Sequence, residues 1–545
     1  MRKFLTGRDS RDFAIRPAAA GPPLAALATV IALLAVSPVF AETYYVSPSG
    51  NDSNPGTSPT APWATVRNVN SRSFKAGDVV RMEGGRTFLG PIELGSGDSG
   101  AAGSPVLVTS YGNGRATVDG GRLHAITVKD ASFLTIANLN VVGLGIKTGQ
   151  EPGGTGIRVQ GGSFITVEQV EASGFRWAGV EIDNSSDARV IRVYAHDNGY
   201  AGIRGKANTP RLYVGHCRAI HNPGDPNYLK DISGSGIELY HASYATIEYC
   251  EAGFNGGDQS PRGNGPVGIW IAFSHHVTIQ NCISHDNTNP TGDGGGIDLD
   301  AGCYENVVQY NYCYNNKGYG VQLWQWGGKV WLEKNVIRYN VLVNSRDDKA
   351  HTIWIGHNAN AATGIRDNVF YNNLIVNEGP AIGISGTNVS NLRFFNNILV
   401  TTEATGFLTG ATESQGFKFA GNCYWSLDGK FDIYGKYSSL ESWANTTGQE
   451  MVDGRLVGLF ADPKYEPLKY EPLKDGPITD PAGLSRMNAF RLREHSPCID
   501  RGLDLRKLYQ MDPGTHDLFG NPIPAGAAFD IGPHEPRLQT SRVTD

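Results

Sequence analysis

An irregular repeat between residues 130 and 400 limits the fold of this chain more than any other feature of its sequence. Short runs alternate apolar and variable residues, as in the five residues from Gly236 to Tyr240, and they recur at intervals of 23 to 34 residues. Such alternation is typical of strands and not of helices. The first apolar residues of the runs are Ile157, Val180, Ile203, Ile237, Ile269, Ile297, Val321, Ile353 and Ile382. The repeat predicts stacked coils of strands, because a single coil cannot bury its apolar face alone.

A second series of equivalent positions follows the same irregular spacing. Its members are Leu139, Val170, Val193, Cys217, Cys250, Cys282, Asn311, Asn340, Asn373 and Asn397. In stacked parallel coils these positions lie about 4.8 Å apart, so asparagines can share side-chain amide hydrogen bonds between coils. The three cysteines of the series are predicted to be small buried residues and not metal ligands.

These patterns predict an all-β fold, a single-stranded right-handed parallel β-helix with a cap at each end. The predicted boundaries are an N-terminal cap and first coils at 42–125, the β-helix with its site at 126–423, and a C-terminal cap and loop-rich tail at 424–545. The chain contains 69 glycines. A glycine precedes the strand in seven runs, at Gly156, Gly179, Gly202, Gly236, Gly268, Gly296 and Gly320. We expect these glycines to provide the backbone freedom that a coil needs at its corner.

Residues 1–41 have the pattern of a Sec-type secretory signal peptide. A basic segment precedes the apolar stretch Leu24 to Val36, and small residues end at a cleavage site after Ala41. This pattern predicts a secreted or periplasmic bacterial protein. No apolar run of about 20 residues follows residue 41, so no membrane span is expected after cleavage. The net charge of −6 disfavours nucleic acid as a partner.

The segment from Tyr44 to Asp52, the coils and the ending Asp530-Ile531-Gly532 resemble bacterial right-handed parallel β-helix proteins of the pectate-lyase-like superfamily. The resemblance covers nearly the whole chain after residue 41 and implies the β-helix fold. It implies activity only broadly, because that superfamily contains polysaccharide lyases, glycoside hydrolases, uronate epimerases and depolymerases. The sequence lacks the Asp-Pro-His motif of alginate epimerases and the Asn-Thr-Asp and Gly-His-Gly motifs of polygalacturonases. The resemblance therefore assigns no catalytic residue.

One stripe of residues is predicted to face solvent, because it alternates with the inward apolar positions of the runs. The stripe combines aromatic rings, which stack on sugar faces, with acids and amides, which bind sugar hydroxyls. The predicted substrate-binding residues, on or beside this stripe, are Trp270, Trp324, Trp354, Tyr240, Gln322, Arg204, Lys206, His351 and His357. Insertions at Asn222–Gly234, Gly256–Pro266 and Thr288–Gly295 are expected to form the walls of a groove.

Asp298, Asp300 and Glu238 are the predicted catalytic residues. Asp298 and Asp300 are two positions apart on one strand, roughly 6.5–7 Å, and Glu238 lies two coils away, about 9–10 Å from Asp298. One carboxyl group would protonate the leaving oxygen while another activates water. The same acids also suit a bound calcium ion or a solvated surface, and both alternatives stay open.

Basic residues allow a second chemistry. Four charged residues face one another on adjacent coils, namely Glu181, Asp183, Arg204 and Lys206. Cross-strand ion pairs are the simplest interpretation. Alternatively these residues bind a uronate, with Lys206 or Tyr240 as the base of a β-elimination and Ca²⁺ neutralising the uronate carboxylate. His351 and His357 flank the strand of Trp354 and could move protons.

Three functions are therefore considered. The favoured one is an exported glycoside hydrolase that needs no cofactor, because acids outnumber bases where the aromatic residues cluster. The second is a polysaccharide lyase or uronate C5-epimerase, with Ca²⁺ as the cofactor of the lyase. The third is a non-catalytic carbohydrate-binding surface protein. In each case the partner is a polysaccharide or oligosaccharide, and the sequence carries no signal for an oligomeric state.

Overall fold

The computed structural model describes residues 41–145, 153–229, 231–258, 265–345, 350–402, 406–410, 416–467 and 478–536. The predicted signal peptide lies outside the described residues, apart from Ala41, and stays a prediction. Within the described ranges no helix is both long and apolar enough to cross a bilayer.

Each coil contributes strands to three long parallel sheets. Sheet 1 contains Thr43–Val46, Val79–Glu83, Val106–Tyr111, Ser132–Ala137, Ser163–Glu168, Arg189–Ile191, Tyr213–Gly215, Thr246–Glu248, Thr278–Gln280, Val307–Gln309, Val336–Arg338, Val369–Tyr371, Arg393–Phe395 and Lys418–Ala420. Sheet 2 contains Ile92–Leu94, Ile126–Lys129, Ile157–Gln160, Ala178–Asp183, Ala201–Lys206, Ser235–Tyr240, Ile269–Ala272, Ile297–Asp300, Val321–Gln325, Ile353–His357, Ile382–Ile384 and Leu408–Gly410. Sheet 3 contains Thr87–Leu89, Ala116–Gly121, Leu139–Gly143, Glu171–Ser173, Tyr194–His196, Arg218–Ile220, Glu251–Gly253, Ile283–His285, Tyr312–Asn316, Val341–Ser345, Leu374–Asn377, Ile398–Thr401, Cys423–Ser426 and Leu459–Phe460.

Short elements complete the coils and the ends. The short strands are Thr209–Pro210 with Ala242–Ser243, then Leu332–Glu333, Ile365–Arg366 and Val389–Ser390, and the antiparallel pair Met451–Val452 with Arg455–Leu456. The α-helices are Arg67–Asn70, Leu440–Thr447 and Leu505–Tyr509, and the 3₁₀ helices are Ser96–Asp98 and Pro481–Arg486.

The register of sheet 2 is the one that the repeat predicts. Ile157 pairs with Val180, and the same row continues through every predicted member to Ile382. All nine residues of the row are fully buried in one apolar interior that the three sheets share. The chain therefore folds as a right-handed parallel β-helix, and the predicted all-β fold is confirmed.

Asparagine side chains tie the coils together, as predicted. Asn311 Nδ2 donates to Asn340 Oδ1 at 3.0 Å, and Asn340 Nδ2 donates to Asn373 Oδ1 at 2.9 Å. Two further asparagine ladders were not predicted; their members are Asn198, Asn222, Asn255, Asn287 and Asn316, and Asn306, Asn335 and Asn368. The cysteines of the second series, Cys217, Cys250 and Cys282, are buried and donate to backbone carbonyls, which confirms their structural role.

The seven glycines before the strands do not serve the purpose that we expected. None of them has a positive φ, so backbone freedom is not their role. A Cβ atom at Gly156 would lie 2.3 Å from Gly179 O, and one at Gly268 would lie 1.9 Å from Ser284 Oγ. At six of the seven positions a Cβ atom would lie less than 3.0 Å from a neighbouring atom, so glycine is needed there because the chain segments approach each other closely. The left-handed turn falls one residue before the second series, for example at Asn281 with φ of 52°.

The described residues after 426 leave the repeat. Phe431, Tyr437 and Trp443 join the interior apolar cluster, whereas later residues cover the outer face of sheet 3. Phe490, Leu505 and Ile531 pack with aromatic and aliphatic residues of that sheet in a second apolar cluster. Asn372 Nδ2 donates to the carbonyls of Asp530 and Gly532 at 3.0 Å each. The Asp530-Ile531-Gly532 ending therefore docks onto the β-helix, although the predicted domain boundaries stay predictions.

Candidate functional site

The stripe of sheet 2 that was predicted to face solvent is largely covered, and that part of the prediction is wrong. Five of its residues are at most 9% exposed, namely Glu238, Trp270, Asp298, Asp300 and Gln322. Tyr319 and Ile232, from two connections between strands, pack on Trp270. Strand alternation places a side chain outside the coil, but it does not show which loops fold over that side chain.

Asp298 and Asp300 lie together at the centre of this covered region. The Tyr319 hydroxyl donates to Asp298 Oδ2 at 3.1 Å, and the Trp270 indole donates to Asp300 Oδ2 at 2.7 Å. The other oxygen of each carboxyl group, Oδ1, is buried and has no hydrogen-bond partner in the described part of the chain. Unpaired buried acceptors are costly to folding, so these two atoms are candidates to bind a ligand donor.

Asp293 adds a third carboxyl group that the sequence prediction missed. It lies in the predicted wall Thr288–Gly295 and is half-buried. The charge of Asp293 raises the pKa of both Asp298 and Asp300, so the three groups interact. The sequence did contain a signal for Asp293, because this acid lies in a predicted wall that directly precedes the strand of Asp298 and Asp300. We refer to Asp293, Asp298 and Asp300 as the carboxylate cluster.

Burial controls the protonation of the carboxylate cluster. Desolvation is the largest cause that raises the pKa of Asp298 and Asp300 well above the usual range. Desolvation also raises the pKa of Asp293 to about 6. Hydrogen bonds from Tyr319 to Asp298 and from Trp270 to Asp300 lower the pKa of each acceptor in turn. The cluster therefore retains protons near neutral pH, as acid–base catalysis by carboxyl groups requires.

The structure groups Glu238 with Arg204 and not with the carboxylate cluster. Trp270 lies in the strand between those of Glu238 and Asp298. Glu238 is fully buried, and its Oε1 accepts from Arg204 Nε at 2.5 Å. Desolvation raises the pKa of Glu238 to about 7, against the opposing effect of Arg204. The predicted catalytic role of Glu238 stays a prediction, and the geometry favours a supporting role.

The basic residues are engaged in ion pairs, which confirms the simpler of the two interpretations. Arg204 Nη1 lies 3.1 Å from Glu181 Oε2, and the guanidinium group lies 4.6 Å from the ring centre of Tyr200. Lys206 Nζ lies 3.2 Å from Asp183 Oδ2. Both cations are therefore already paired within the protein.

Aromatic residues line the carboxylate cluster on the side of the earlier coils. Tyr240 packs edge-on against Phe273, with ring centres 5.3 Å apart, and Trp326 packs on the same ring at 5.2 Å. Trp326 is 37% exposed, and its indole lowers the pKa of Asp300. Trp326 was not predicted; its position two residues after Trp324, and so on the same face, was the available signal.

Trp324 and Trp354 continue the aromatic surface along the later coils. Their rings are nearly parallel, at 13°, with centres 6.4 Å apart, and both side chains are partly exposed. Trp324 Nε1 donates to Asn358 Oδ1 at 3.1 Å, which fixes the ring. The predicted binding residues on these two strands therefore form one surface.

His351 and His357 are held by other protein groups. His351 packs on Trp354 at 4.8 Å between ring centres, and desolvation lowers its pKa to about 4, so it stays neutral near pH 7. His357 Nε2 accepts from the Asn388 backbone N–H at 3.1 Å, so its Nδ1 carries the proton and donates to Asn358 O. These contacts suit orienting roles better than the predicted proton transfer.

The predicted walls of the groove differ in how much of their structure is described and in the contacts that they make. In Asn222–Gly234, Asp225 pairs with Arg176 at 2.7 Å. The predicted wall Gly256–Pro266 includes residues 259–264, which lie outside the described residues. Across the described ranges, no group of three or more His, Cys, Asp or Glu side chains is arranged to hold a metal ion. The Ca²⁺ requirement of the lyase alternative stays a prediction.

The model of the family described as "Right handed beta helix region" matches residues 124–337. Together with the three parallel sheets, this match defines the class of the protein as a right-handed parallel β-helix protein and confirms the resemblance found in the sequence.

Particular relatives are carbohydrate-active proteins. A lacto-N-biosidase of Bifidobacterium longum subsp. longum is 25% identical over 296 residues, which are 50% of this chain and 16% of that protein. The chain thus spans a small part of the length of its curated relative. Among solved structures, a GH136 lacto-N-biosidase from Eubacterium ramulus is 17% identical, with 65% of this chain and 66% of that chain covered and a TM-score of 0.46. Pectate lyase Pel9A is 16% identical, with 91% and 96% covered and a TM-score of 0.49.

Proposed function

We propose that the protein is a glycoside hydrolase that cleaves an oligosaccharide or polysaccharide at the carboxylate cluster. The observation that carries this proposal is a set of buried acceptors on two paired strands. Asp298 Oδ1, Asp300 Oδ1 and Gln322 Oε1 have no hydrogen-bond partner among the described residues. Sugar hydroxyl groups are donors that would satisfy them. The similarity to a lacto-N-biosidase supports hydrolysis as the reaction.

The three carboxyl groups take different roles in this proposal. Burial raises the pKa of Asp300 to about 8, so Asp300 keeps its proton near neutral pH and protonates the leaving oxygen. Asp293 is half-buried with a pKa of about 6, so it is ionised near neutral pH and acts as the base or nucleophile. Burial raises the pKa of Asp298 well above its usual range, so Asp298 keeps its proton and positions the substrate.

The aromatic surface provides the binding platform for the sugars. Trp324 and Trp354 present nearly parallel rings on adjacent strands, and Trp326 and Tyr240 flank the carboxylate cluster. Rings in this arrangement bind the apolar faces of successive sugar units. Arg204 and Glu238 support this surface from the neighbouring strands.

One assay separates the hydrolase from its alternatives. The protein is incubated with an aryl lacto-N-bioside, neutral polysaccharides, polygalacturonate and alginate, while reducing ends and the absorbance of unsaturated products are followed together. New reducing ends without unsaturated products are expected. Unsaturated products that a chelator abolishes would instead establish the Ca²⁺-dependent lyase. Binding without any product would establish a carbohydrate-binding protein, and a changed uronate composition without cleavage would establish an epimerase.

Substitution of the cluster tests the site itself. We expect Asp300→Asn to reduce kcat/KM by about 1,000-fold or more and Asp293→Asn by about 100-fold or more, since general acid and base groups contribute about 100- to 10,000-fold each. Asp298→Asn should cost less, because an amide mimics a protonated carboxyl group. Asp187→Asn, at an exposed ion pair with Arg211, is the matched control and should leave activity unchanged. Full activity in folded Asp300→Asn would refute the site.

A further inference from the structure

A groove lies between the outer face of sheet 1 and the C-terminal segment. On one side it is lined by Gln280 and Gln309 of neighbouring strands, and on the other by residues of the loop 512–520 and of the 3₁₀ helix Pro481–Arg486. Its volume of about 390 Å³ falls within the range of about 300–1,000 Å³ that is typical of ligand sites. The carboxylate cluster belongs to sheet 2, so the groove lies on a different face of the β-helix.

A row of side-chain amides along the groove offers hydrogen-bonding groups on successive coils. Gln309 Nε2 donates to Gln280 Oε1 at 2.8 Å, and Gln280 Nε2 donates to Glu248 Oε2 at 2.8 Å. Gln309 Oε1 accepts from Arg338 Nε at 2.7 Å. An amide has two N–H donors and two acceptor lone pairs, so within the described part of the chain each glutamine keeps one N–H and one lone pair unused. These free groups recur at about 4.8 Å, the spacing of neighbouring strands.

Aromatic rings and further polar groups line the same groove. The Tyr249 hydroxyl, the Asn281 side-chain amide and His516 Nε2 have no hydrogen-bond partner among the described residues. The rings of Tyr310 and His516 stack, with centres 4.5 Å apart. Aromatic rings beside amides and hydroxyl groups suit a sugar, because the rings pack on its apolar faces and the polar groups bind its hydroxyl groups.

We propose that this groove is a second carbohydrate-binding site, which holds a chain of neutral sugar units along the axis of the β-helix. The chain is neutral because the charges of the described lining cancel: Arg338 Nη1 lies 3.7 Å from Asp512 Oδ2. An acidic polymer would therefore meet no uncompensated cation in the groove. The site binds without cleaving, because Asp512 is the single carboxyl group of this described lining and glycoside hydrolysis needs a pair.

Hydrogen exchange of the full chain, followed by mass spectrometry, tests the proposal. The Asp300→Asn variant, chosen to prevent turnover, is mixed separately with cellohexaose, xylohexaose, mannohexaose, a galactan hexasaccharide and hexagalacturonate. At least one neutral hexasaccharide should slow exchange in the loop 512–520 and in the helix Pro481–Arg486, and hexagalacturonate should not. Unchanged exchange in both segments with every neutral probe, or protection by hexagalacturonate, would overturn the proposal. A parent protein without hydrolase activity would refute the proposed function alone, because this readout needs no cleavage.

Two variants test the polar groups of the groove by calorimetric titration with the hexasaccharide that protects it. Asn281→Gly and Tyr249→Phe each remove a group without a partner in the described ranges, and glycine accepts the φ of 52° at position 281, so both should fold. Each should raise Kd about fivefold, the effect of one lost hydrogen bond. Gln169→Gly is the matched control, because it removes an exposed amide at the same turn of an earlier coil, where φ is 53°. It should leave Kd unchanged, and a parental Kd in both groove variants would contradict the assignment.

Discussion

At the scale of single residues, three carboxyl groups close together in sequence occupy three different surroundings. Asp300 receives an indole N–H, Asp298 receives a phenolic O–H, and Asp293 lies half-buried on a loop. Asp298 and Asp300 could be chosen from the sequence, because strand alternation places both on the outer side. Their protonation states could not be predicted from the sequence, because these depend on the loops that cover the two side chains.

Trp270 should set the pH above which the site loses activity. Trp270→Phe removes the indole N–H that stabilises ionised Asp300, so the pKa of Asp300 should rise further. Because the proposed reaction needs protonated Asp300, the alkaline limb of the kcat/KM profile should move to higher pH, by about one unit. Trp331→Phe, which alters a ring that packs on Arg366, should leave the profile unchanged. An unmoved or lowered limb in Trp270→Phe would contradict the proposed role of Asp300.

At the scale of elements, the asparagine ladders and the close-approach glycines determine how one coil stacks on the next. Asn340 Oδ1 accepts from the backbone and side-chain N–H groups of Asn311, and Asn340 Nδ2 donates to Asn373 and to Val308 O. Each asparagine thus satisfies groups on the coils before and after its own. The sequence identified one ladder by its spacing, whereas the other two lie at turns and were missed.

Loss of one asparagine from a ladder should destabilise the whole β-helix. Asn340→Ala leaves two buried N–H groups of Asn311 and the buried carbonyl of Val308 without their partner, which costs about 3 kcal/mol or more. The free energy of unfolding, measured in denaturant, should fall by that amount. Asn488→Ala, at an exposed position, should change it by less than about 0.5 kcal/mol. Equal effects in the two variants would contradict the role of the ladder.

At the scale of the whole molecule, the β-helix and its C-terminal segment bury several acids deeply enough that desolvation raises their pKa. Desolvation raises the pKa of Glu238, Glu450 and Asp530 to about 7 each and that of Glu535 to about 8. The folded protein therefore binds more protons than the unfolded chain does near neutral pH. A raised carboxyl pKa stabilises the folded state at low pH, and this contribution is lost as the pH rises through the folded pKa.

The melting temperature should consequently fall between pH 6.5 and pH 8.5. Histidines with lowered pKa, such as His351 and His534, oppose this trend only below about pH 6.5, where the unfolded chain would protonate them. Glu450→Gln should flatten the decline, because it removes one carboxyl group that must ionise, whereas Glu441→Gln at an exposed position should not. Scanning calorimetry across this range measures the slope. A melting temperature that rises with pH would contradict the prediction.

By itself the sequence determined the right-handed β-helix, the row from Ile157 to Ile382 and the pair Asp298 and Asp300. It could do so because strand periodicity and coil spacing are local properties of the chain. Only the tertiary structure decided that loops cover the pair and that Asp293 and Trp326 join it. Contacts between loops and coils far apart in sequence leave no periodic pattern, and burial, which sets the chemistry of this site, arises from those contacts.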